Sequence, residues 1–531
     1  MLIFIPMSGF GDRYRRAGYS QPKPLIPVDG KPMIERVISC FPKDSDFLFA
    51  VNRQHAEQTE LVAVASKLAP KAKTVVIEPH KDGPVQTVLA VAEHLPDDQE
   101  VLINYCDFGV DWSFEAFRSW LDACRWDGAM TAYRGFHPHS LGPQLYAHMR
   151  SEGDRALEIR EEHPFTSNKL EEYASSGLYY FRRGADLKRL SRELIDSGQR
   201  VNNGFYISMV MQRLIESGGH VGVHPLKHFY QWGTPDDLRD YEGWSTAMRG
   251  LDQHLATLAK AHSGASQVIP MAGRGQRFVD QGYADPKPLI DTAGRPMIAQ
   301  ALAFLPRPTE RVLIAQQSHA EDERFLQVVK ALRPSARVIP LNKVTEGQAC
   351  TAKLGAETVN LDAPVLFAPC DTGYSYDLSA WLDMEAAADA DLIVWTARGH
   401  LPALWQPQAY GWLHAPEGVI KAVAVKKQVE GVPPAEQEVI TGTFWFKSAR
   451  LFLEETAGML ADEDRVNGEF YLDTLVRRMM ENGKRVRSFT VQKYIPWSTP
   501  EELKTFQYWN EVFRDGRPLG LEQPIARSPA A

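Results

Sequence analysis

Cysteine is scarce: five residues in 531 (Cys40, Cys106, Cys124, Cys350 and Cys370), odd in number and without CxxC spacing. Scattered thiols fit a reducing cytoplasm better than a disulfide framework or a zinc site. Long apolar runs are also missing. No segment approaches the roughly 18 apolar residues needed to cross a bilayer, so no membrane contact is expected. The opening MLIFIPMSGFGDRY has no basic stretch before its short apolar run. It reads as a first core strand rather than a signal peptide. Nor does charge of one sign dominate: 59 Lys and Arg stand against 67 Asp and Glu, a net −8. That leaves no electrostatic footprint for nucleic acid, while a local basic pocket remains compatible with it. What is present, 44% hydrophobic and 24% charged residues, is globular. A chain of 531 residues is too long for one ordinary core, so two or three domains are expected.

The architecture comes from an internal repeat. Ile5–Ile34, IPMSGFGDRYRRAGYSQPKPLIPVDGKPMI, returns as Ile269–Ile298, IPMAGRGQRFVDQGYADPKPLIDTAGRPMI, with Lys287 answering Lys23. The same offset holds through Gly83/Gly347 and Asp107/Asp371, and it has grown by a single position at Gly177/Gly442 and Phe205-Tyr206/Phe470-Tyr471. A period this long means duplicated domains, placed at 1–245 and 266–513. A mildly amphipathic linker helix is expected between them (Ser245–Gln267, the linker proper 246–265), and a mobile Pro/Gly-rich tail over 514–531.

In each copy, short apolar strands alternate with helices. LIFIPM, DFLFAV, KTVVIE, VLINYC and GAMTAY are answered by VIPMA, RVLIAQ, ARVIPL, VLFAPC and DLIVWTA. Helices are expected at Met33–Cys40, Glu57–Leu68, Val85–Glu93 and Phe114–Cys124. This alternation implies an α/β fold: two tandem Rossmann-like domains, each a mixed, mostly parallel sheet flanked by helices. Ligands then bind outside the carboxyl ends of the strands.

Each first strand runs into a Gly-rich turn, SGFGDR (Ser8–Arg13) or AGRGQR (Ala272–Arg277). Glycines let backbone N–H groups approach phosphate oxygens, and an arginine can fork onto them. Steric need for glycine in a strand-to-helix turn explains one such turn equally well. The third glycine of the dinucleotide fingerprint is missing, and so is the Gly-Lys-Ser/Thr of a Walker A loop. PKPL follows in both copies (Pro22–Leu25, Pro286–Leu289). Two prolines freeze the loop around Lys23 or Lys287, which favours phosphate binding over a solvated lysine. At strand ends stand NYCD and APCD, whose Asp107 and Asp371 either suit Mg²⁺ shared with substrate phosphates or cap the next turn. Cys106 and Cys370 read as core thiols. His137 and His139 read as structural or sugar-contacting, and Asp389-Ala390-Asp391 as a helix-to-strand turn. The many Trp and Tyr residues read mainly as core.

Taken together, G-x-G-x-R, PKPL and G-[KR]-P-M-I resemble the sugar-phosphate nucleotidylyltransferases, including the molybdenum-cofactor-guanylyltransferase-like NTP transferases of GT-A-like fold. The resemblance covers both repeats. It implies that Gly9, Gly11, Arg13 and Lys23, with Gly273, Gly275, Arg277 and Lys287, hold NTP phosphates. It implies that Gly83, Gly347, Gln348 and Ala349 cup the nucleobase, the alternative being an ordinary helix start. Asp107 and Asp371 become metal ligands and Mg²⁺ the cofactor. Gly177, Asn202, Gly442, Asn467 and Glu469 fall on the sugar side, although an Asn there also suits an ordinary N-cap.

The copies depart from the family pattern at its Glu-Lys pair. The first reads Glu161-Glu162 and the second Val425-Lys426, so Lys426 alone faces an anionic substrate. The family's late metal-binding Asp is Gln231 in one copy and Pro496 in the other, leaving a second ligand unassigned. The resemblance implies transfer of a nucleotidyl group from an NTP to a sugar 1-phosphate or similar phosphate, releasing pyrophosphate. Surface-polysaccharide precursor synthesis is its implied setting, a homo-oligomer is compatible, and the second copy is expected to be the more complete. Two other readings stay open: a nucleotide-binding regulatory or scaffold pseudo-transferase, and a GT-A glycosyltransferase, against which PKPL and the missing strand-end D-x-D argue.

Overall fold

The computed structural model describes residues 1–142, 146–332, 334–517 and 519. It divides into two compact units, Met1–Glu242 and the chain from Gly243 onward.

In the first unit a nine-stranded sheet runs in the order Lys73–Ile77, Asp46–Asn52, Leu2–Met7, Val101–Asn104, Tyr173–Phe181, Gly128–Tyr133, Val221–Pro225, Arg155–Arg160, His148–Glu152. The first four strands are mutually parallel, and Tyr173–Phe181 inserts antiparallel beside Val101–Asn104. Ile3, Phe4 and Ile5 are at most 1% exposed. A parallel strand covered on both faces has to be apolar throughout, and its sequence shows that. The helices Pro84–Ala90, Gly184–Ser197 and Ile207–Glu216 contribute Val85, Val88, Leu187, Leu190, Ile207 and Val210 to the core on one face.

The second unit repeats the plan. Arg337–Leu341, Arg311–Gln316, Ser266–Met271 and Val365–Phe367 are parallel, followed by Gln437–Phe446, Leu392–Ala397 and Val486–Val491. Both sheets are therefore mixed, as expected. The long strand of each unit carries a bulge at the matching glycine. Gly177 (φ 98°) and Gly442 (φ 90°) interrupt the pairing register there.

Two local expectations need correction. Glu57–Leu68 is not one helix but two, Arg53–Gln58 and Leu61–Leu68, because Asn52 caps the first through His55 N–H and its C-cap, Thr59, is extended. The linker helix, expected over Ser245–Gln267, runs Pro235–Leu258 instead, starting earlier and ending before the strand Ser266–Met271 that takes Gln267. Its start is fixed by Thr234, whose hydroxyl accepts from Asp237 N–H at 3.1 Å while the Asp237 carboxylate accepts from Thr234 N–H at 3.0 Å. This is a reciprocal cap well upstream of the expected start. Of the expected mobile tail, all but 514–517 and 519 lies outside the described residues. No described helix is long and apolar enough to cross a membrane.

Candidate active sites

The Gly-rich turns, the PKPL lysines and the strand-end aspartates converge in each unit. Gly11 (φ 66°) and Gly275 (φ 64°) are left-handed and open the short helices Asp12–Arg16 and Gln276–Asp280. A Cβ on Gly275 would lie 3.0 Å from Lys287 Cβ, so glycine lets the lysine stem pass beneath the turn. Lys23 Nζ donates to Asp107 Oδ2 at 2.5 Å and to Gly233 O at 2.8 Å. Lys287 donates to Asp371 Oδ2 in the same way. Burial works against the Lys287 ammonium, but the Asp371 carboxylate more than offsets it and raises its pKa. Gly9 and Gly273 stand open to solvent, and Arg13 and Arg277 are exposed. Neither arginine has an ion pair or side-chain hydrogen bond among the described residues, which leaves both forks free for an anionic ligand.

Asp107 and Asp371 are fixed through their own carbonyls, which accept from Trp232 N–H (2.9 Å) and Trp497 N–H (2.8 Å). Next to them, Cys370 is buried as expected and Cys106 half-buried, and both thiols are pushed up to about 12 by burial and then by the neighbouring carboxylate. Sequence reasoning missed the second carboxylate at this end. Asp237 and Glu502 hold matching places in TPDD and TPEE, at the starts of the last helices. Glu502 accepts from Ser498 N–H (2.8 Å), Thr499 N–H (3.0 Å) and Tyr410 Oη (3.2 Å), and burial, then the Asp371 charge, raises it to about 7. In the first unit Asp237 accepts from Gln231, which accepts from Tyr146. The cap signature T-P-[DE]-[DE] could have drawn attention to these residues.

Among the described residues no three His, Cys, Asp or Glu side chains gather as a self-sufficient metal site. The donor set still fits Mg²⁺ in its substrate-shared mode, with one or two carboxylates and the remaining positions filled by phosphate oxygens and water. Asp371 meets that need, since Lys287 takes Oδ2 while Oδ1 has only a 3.5 Å approach from Thr372 Oγ1.

The loops that carry Gly83 and Gly347 are locked to those that carry Phe205 and Phe470. A Cβ on Gly347 (φ 149°) would fall 2.5 Å from both N and O of Phe470, and one on Gly83 2.6 Å from Phe205 O. Phe470 N–H donates to Glu346 O, and Ala349 N–H to Phe470 O, both at 3.1 Å. These glycines thus have a packing reason of their own. Gln348 opens the helix Gln348–Ala356, with Ala349 and Thr351 buried behind it.

Asn202 and Asn467, expected on the sugar side or as ordinary N-caps, are not N-caps. The following helices are capped at Tyr206 and Tyr471 without side-chain bonds. Asn202-Asn203 and Asn467-Gly468 instead form two-residue turns with φ of 46°, 64°, 50° and 81°, closed by Val201–Gly204 and Val466–Glu469 bridges. Glu469 is exposed on its turn, and the Tyr471 phenol is raised by burial and then by the Glu469 charge. A Cβ on Gly177 would meet Phe108 and Tyr105, and one on Gly442 would meet Pro369.

Glu162 (φ 56°) and Lys426 (φ 60°) share one left-handed conformation and so project alike. Lys426 Nζ donates to Ala409 O at 2.8 Å and lies 5.0 Å from the Tyr471 ring centre. Glu162 accepts from Asn202. The Glu that Val425 replaces is supplied from elsewhere. In the first unit Glu161 accepts from Ser208 and is pushed up to about 7, chiefly by burial. In the second, Asp473, which stands where the first copy has Ser208, is buried and raised to about 6 by burial against the pull of Lys426. Its Oδ2 occupies the space a Cβ on Gly411 would take, 2.2 Å away, where the first unit has Ala147. A carboxylate has moved from strand-end loop to helix while keeping its neighbourhood.

The remaining expectations fall outside these sites. His137 and His139 are packed among Tyr133, Tyr146 and Phe229, and His137 is depressed to about 4 by burial. The Asp389–Asp391 segment lies between helix Leu378–Ala387 and strand Leu392–Ala397, with Asp391 accepting from Arg485 N–H. Trp381, Trp395, Trp412, Trp445 and Trp497 are fully buried.

A family model described as MobA-like NTP transferase domain matches residues 8–254 and 267–429. Solved structures that match include a nucleoside-diphosphate-sugar pyrophosphorylase from Vibrio cholerae RC9, with 22% identity over 45% of this chain and 99% of that one, TM-score 0.39. Another is the inositol-1-phosphate CTP transferase from T. maritima, at 16% identity over 45% of this chain and 93% of that one, TM-score 0.35. A UDP-glucose pyrophosphorylase matches at 13% identity over 47% of this chain and 99% of its own, TM-score 0.38. No curated protein matches.

Proposed function

The chain belongs to the MobA-like NTP transferase domain family, and on that premise we propose that it is a sugar-phosphate nucleotidylyltransferase whose second unit carries the reaction. NTP and sugar 1-phosphate would give NDP-sugar and pyrophosphate. The observation that carries this reading is the Lys287–Asp371 pair at the carboxyl ends of parallel strands, beside the unpaired Arg277 of the Gly-rich turn. Arg277 and Lys287 would hold the triphosphate while Lys426 draws the acceptor phosphate towards the α-phosphorus. An acceptor oxygen forms the new P–O bond as the bond to the β-phosphate breaks and pyrophosphate leaves. Such transfer depends on positioning and charge stabilisation, so the buried, proton-bearing Cys370 is not needed as a nucleophile. Mg²⁺ on Asp371 would neutralise phosphate charge when bound. A cytoplasmic setting and a product feeding surface-glycan assembly belong to the same proposal.

The test is pyrophosphate release with each NTP and a panel of sugar 1-phosphates, for the wild type, Asp107→Asn and Asp371→Asn. We expect Asp371→Asn to lose about 10²–10³ in rate, the scale of losing one preorganised charged group. Full activity in Asp371→Asn with loss in Asp107→Asn would move the reaction to the first unit. Release of free NDP in place of pyrophosphate would make the protein a glycosyltransferase.

A further inference from the structure

The two units keep the same phosphate-binding half and differ systematically in the acceptor half. In the second unit the face of Tyr471 carries the chain's own ammonium, Lys426 Nζ, 5.0 Å from the ring centre. Tyr206 is its counterpart in the first copy, and the residue projecting there is Glu162. Among the described residues no lysine or arginine lies over the Tyr206 ring. The charges that reach its hydroxyl are those of Glu161 and Glu162, which raise its pKa after burial, opposed by Arg13 of the Gly-rich turn. Where the second unit has Pro369 beneath its bulge glycine, the first has Tyr105, whose hydroxyl is buried. Glu162 and Tyr206 thus hold the two places that Lys426 and Tyr471 hold in the second unit, where an ammonium group lies against the ring.

Resting on the nucleotidyltransfer reading, we propose that the first unit takes an acceptor phosphate carrying a protonated amine, whose ammonium group sits over Tyr206 against Glu162. An aromatic face backed by carboxylates is the chemistry that selects an ammonium group over a hydroxyl. Lys426 makes the opposite choice in the second unit, where it would repel an amine and attract a plain anionic acceptor. Glu162 is held towards this position by Asn202 and by its left-handed backbone, so the carboxylate is presented and not left on a mobile stem. The transfer step is unchanged: the acceptor phosphate oxygen bonds to the α-phosphorus and pyrophosphate departs, while the amine keeps its proton.

The experiment is calorimetric titration of the full chain with two matched pairs: glucosamine 1-phosphate against glucose 1-phosphate, and ethanolamine phosphate against ethylene glycol phosphate. NTP binding is measured in the same preparation. We expect the amine-bearing member of at least one pair to bind one site per chain about tenfold more tightly, the size of a cation–π contact with one carboxylate. Glu162→Gln, which is isosteric and keeps a partner for Asn202, should remove that preference, bringing the two members of each pair to equal affinity in the same preparation. Equal binding within both pairs, or a preference that survives Glu162→Gln, overturns the proposal. If no NTP binds while the amine preference is present, the nucleotidyltransfer reading fails and the ammonium site stands.

Discussion

Asp473 should make the second unit less stable at neutral pH and more effective at its task. Its carboxyl is buried against Gly411 and raised to about 6, from an ordinary value near 3.8. Because the folded-state pKa lies above the unfolded one, the folded state holds the proton more tightly. Stability is therefore greatest at low pH and is lost as pH rises from about 4 to above 6. A rise of about two pH units at 1.36 kcal/mol each costs about 3 kcal/mol at pH 7.5 and about 1 kcal/mol at pH 4.5. Asp473→Asn removes this titration. Relative to the wild type, its unfolding free energy should rise by about 2 kcal/mol more at pH 7.5 than at pH 4.5. Urea unfolding of both proteins at the two pH values measures this difference, and Glu161 and Glu502, common to both chains, cancel from it. The variant should also bind an anionic acceptor differently, since Lys426 loses its counter-charge. A stability difference that is the same at both pH values would refute the assignment of Asp473 as a buried, proton-hungry carboxylate.

Gly347→Ala should destabilise the second unit by about 2–5 kcal/mol, because its Cβ would meet two backbone atoms of Phe470 at once and break the two hydrogen bonds there. Urea unfolding would show the loss, and nucleotide titration should show weakened binding even where the chain remains folded. The exchange between Glu161–Ser208 and Val425–Asp473 predicts coupling. Val425→Glu alone should crowd two carboxylates, Asp473→Ser alone should remove the buried carboxylate, and in the double variant the crowding should vanish, a coupling of about 1–3 kcal/mol. A double-mutant cycle in urea reads that term directly.

The convergence of the Gly-rich turn, the PKPL lysine and the strand-end Asp was legible in the sequence because these parts lie on short, contiguous loops. Gly-x-Gly, PKPL and the strand-end Asp each stand at a junction the chain order fixes, and Lys23–Asp107 and Lys287–Asp371 come together as parallel strands require. The surroundings of Glu162 and Lys426 were not. Their key carboxylate changes position between copies, so comparison of the Glu-Lys station alone finds Val425 and not Asp473. Asn202 and Asn467 look like helix caps until their positive φ values make them turn residues. The helix Pro235–Leu258 was read short at its start because apolar spacing was followed instead of the Thr234–Asp237 cap.

The carboxylate exchange also bears on what the first unit is. Random decay after a duplication would leave an acidic group lost or stranded. Here Glu161 is satisfied by Ser208, and Asp473 is accommodated by Gly411 where the other copy has Ala147. Three positions have changed together around one negative charge. The neighbouring residue keeps its left-handed backbone in both units, at φ 56° and 60°, although such a conformation costs on the order of 1 kcal/mol for a residue with a side chain. A site under no demand would relax that strain through glycine or an extended loop. One backbone geometry thus carries opposite charges in the two units, Glu162 in one and Lys426 in the other, which is the arrangement the proposed pair of acceptors of opposite charge requires.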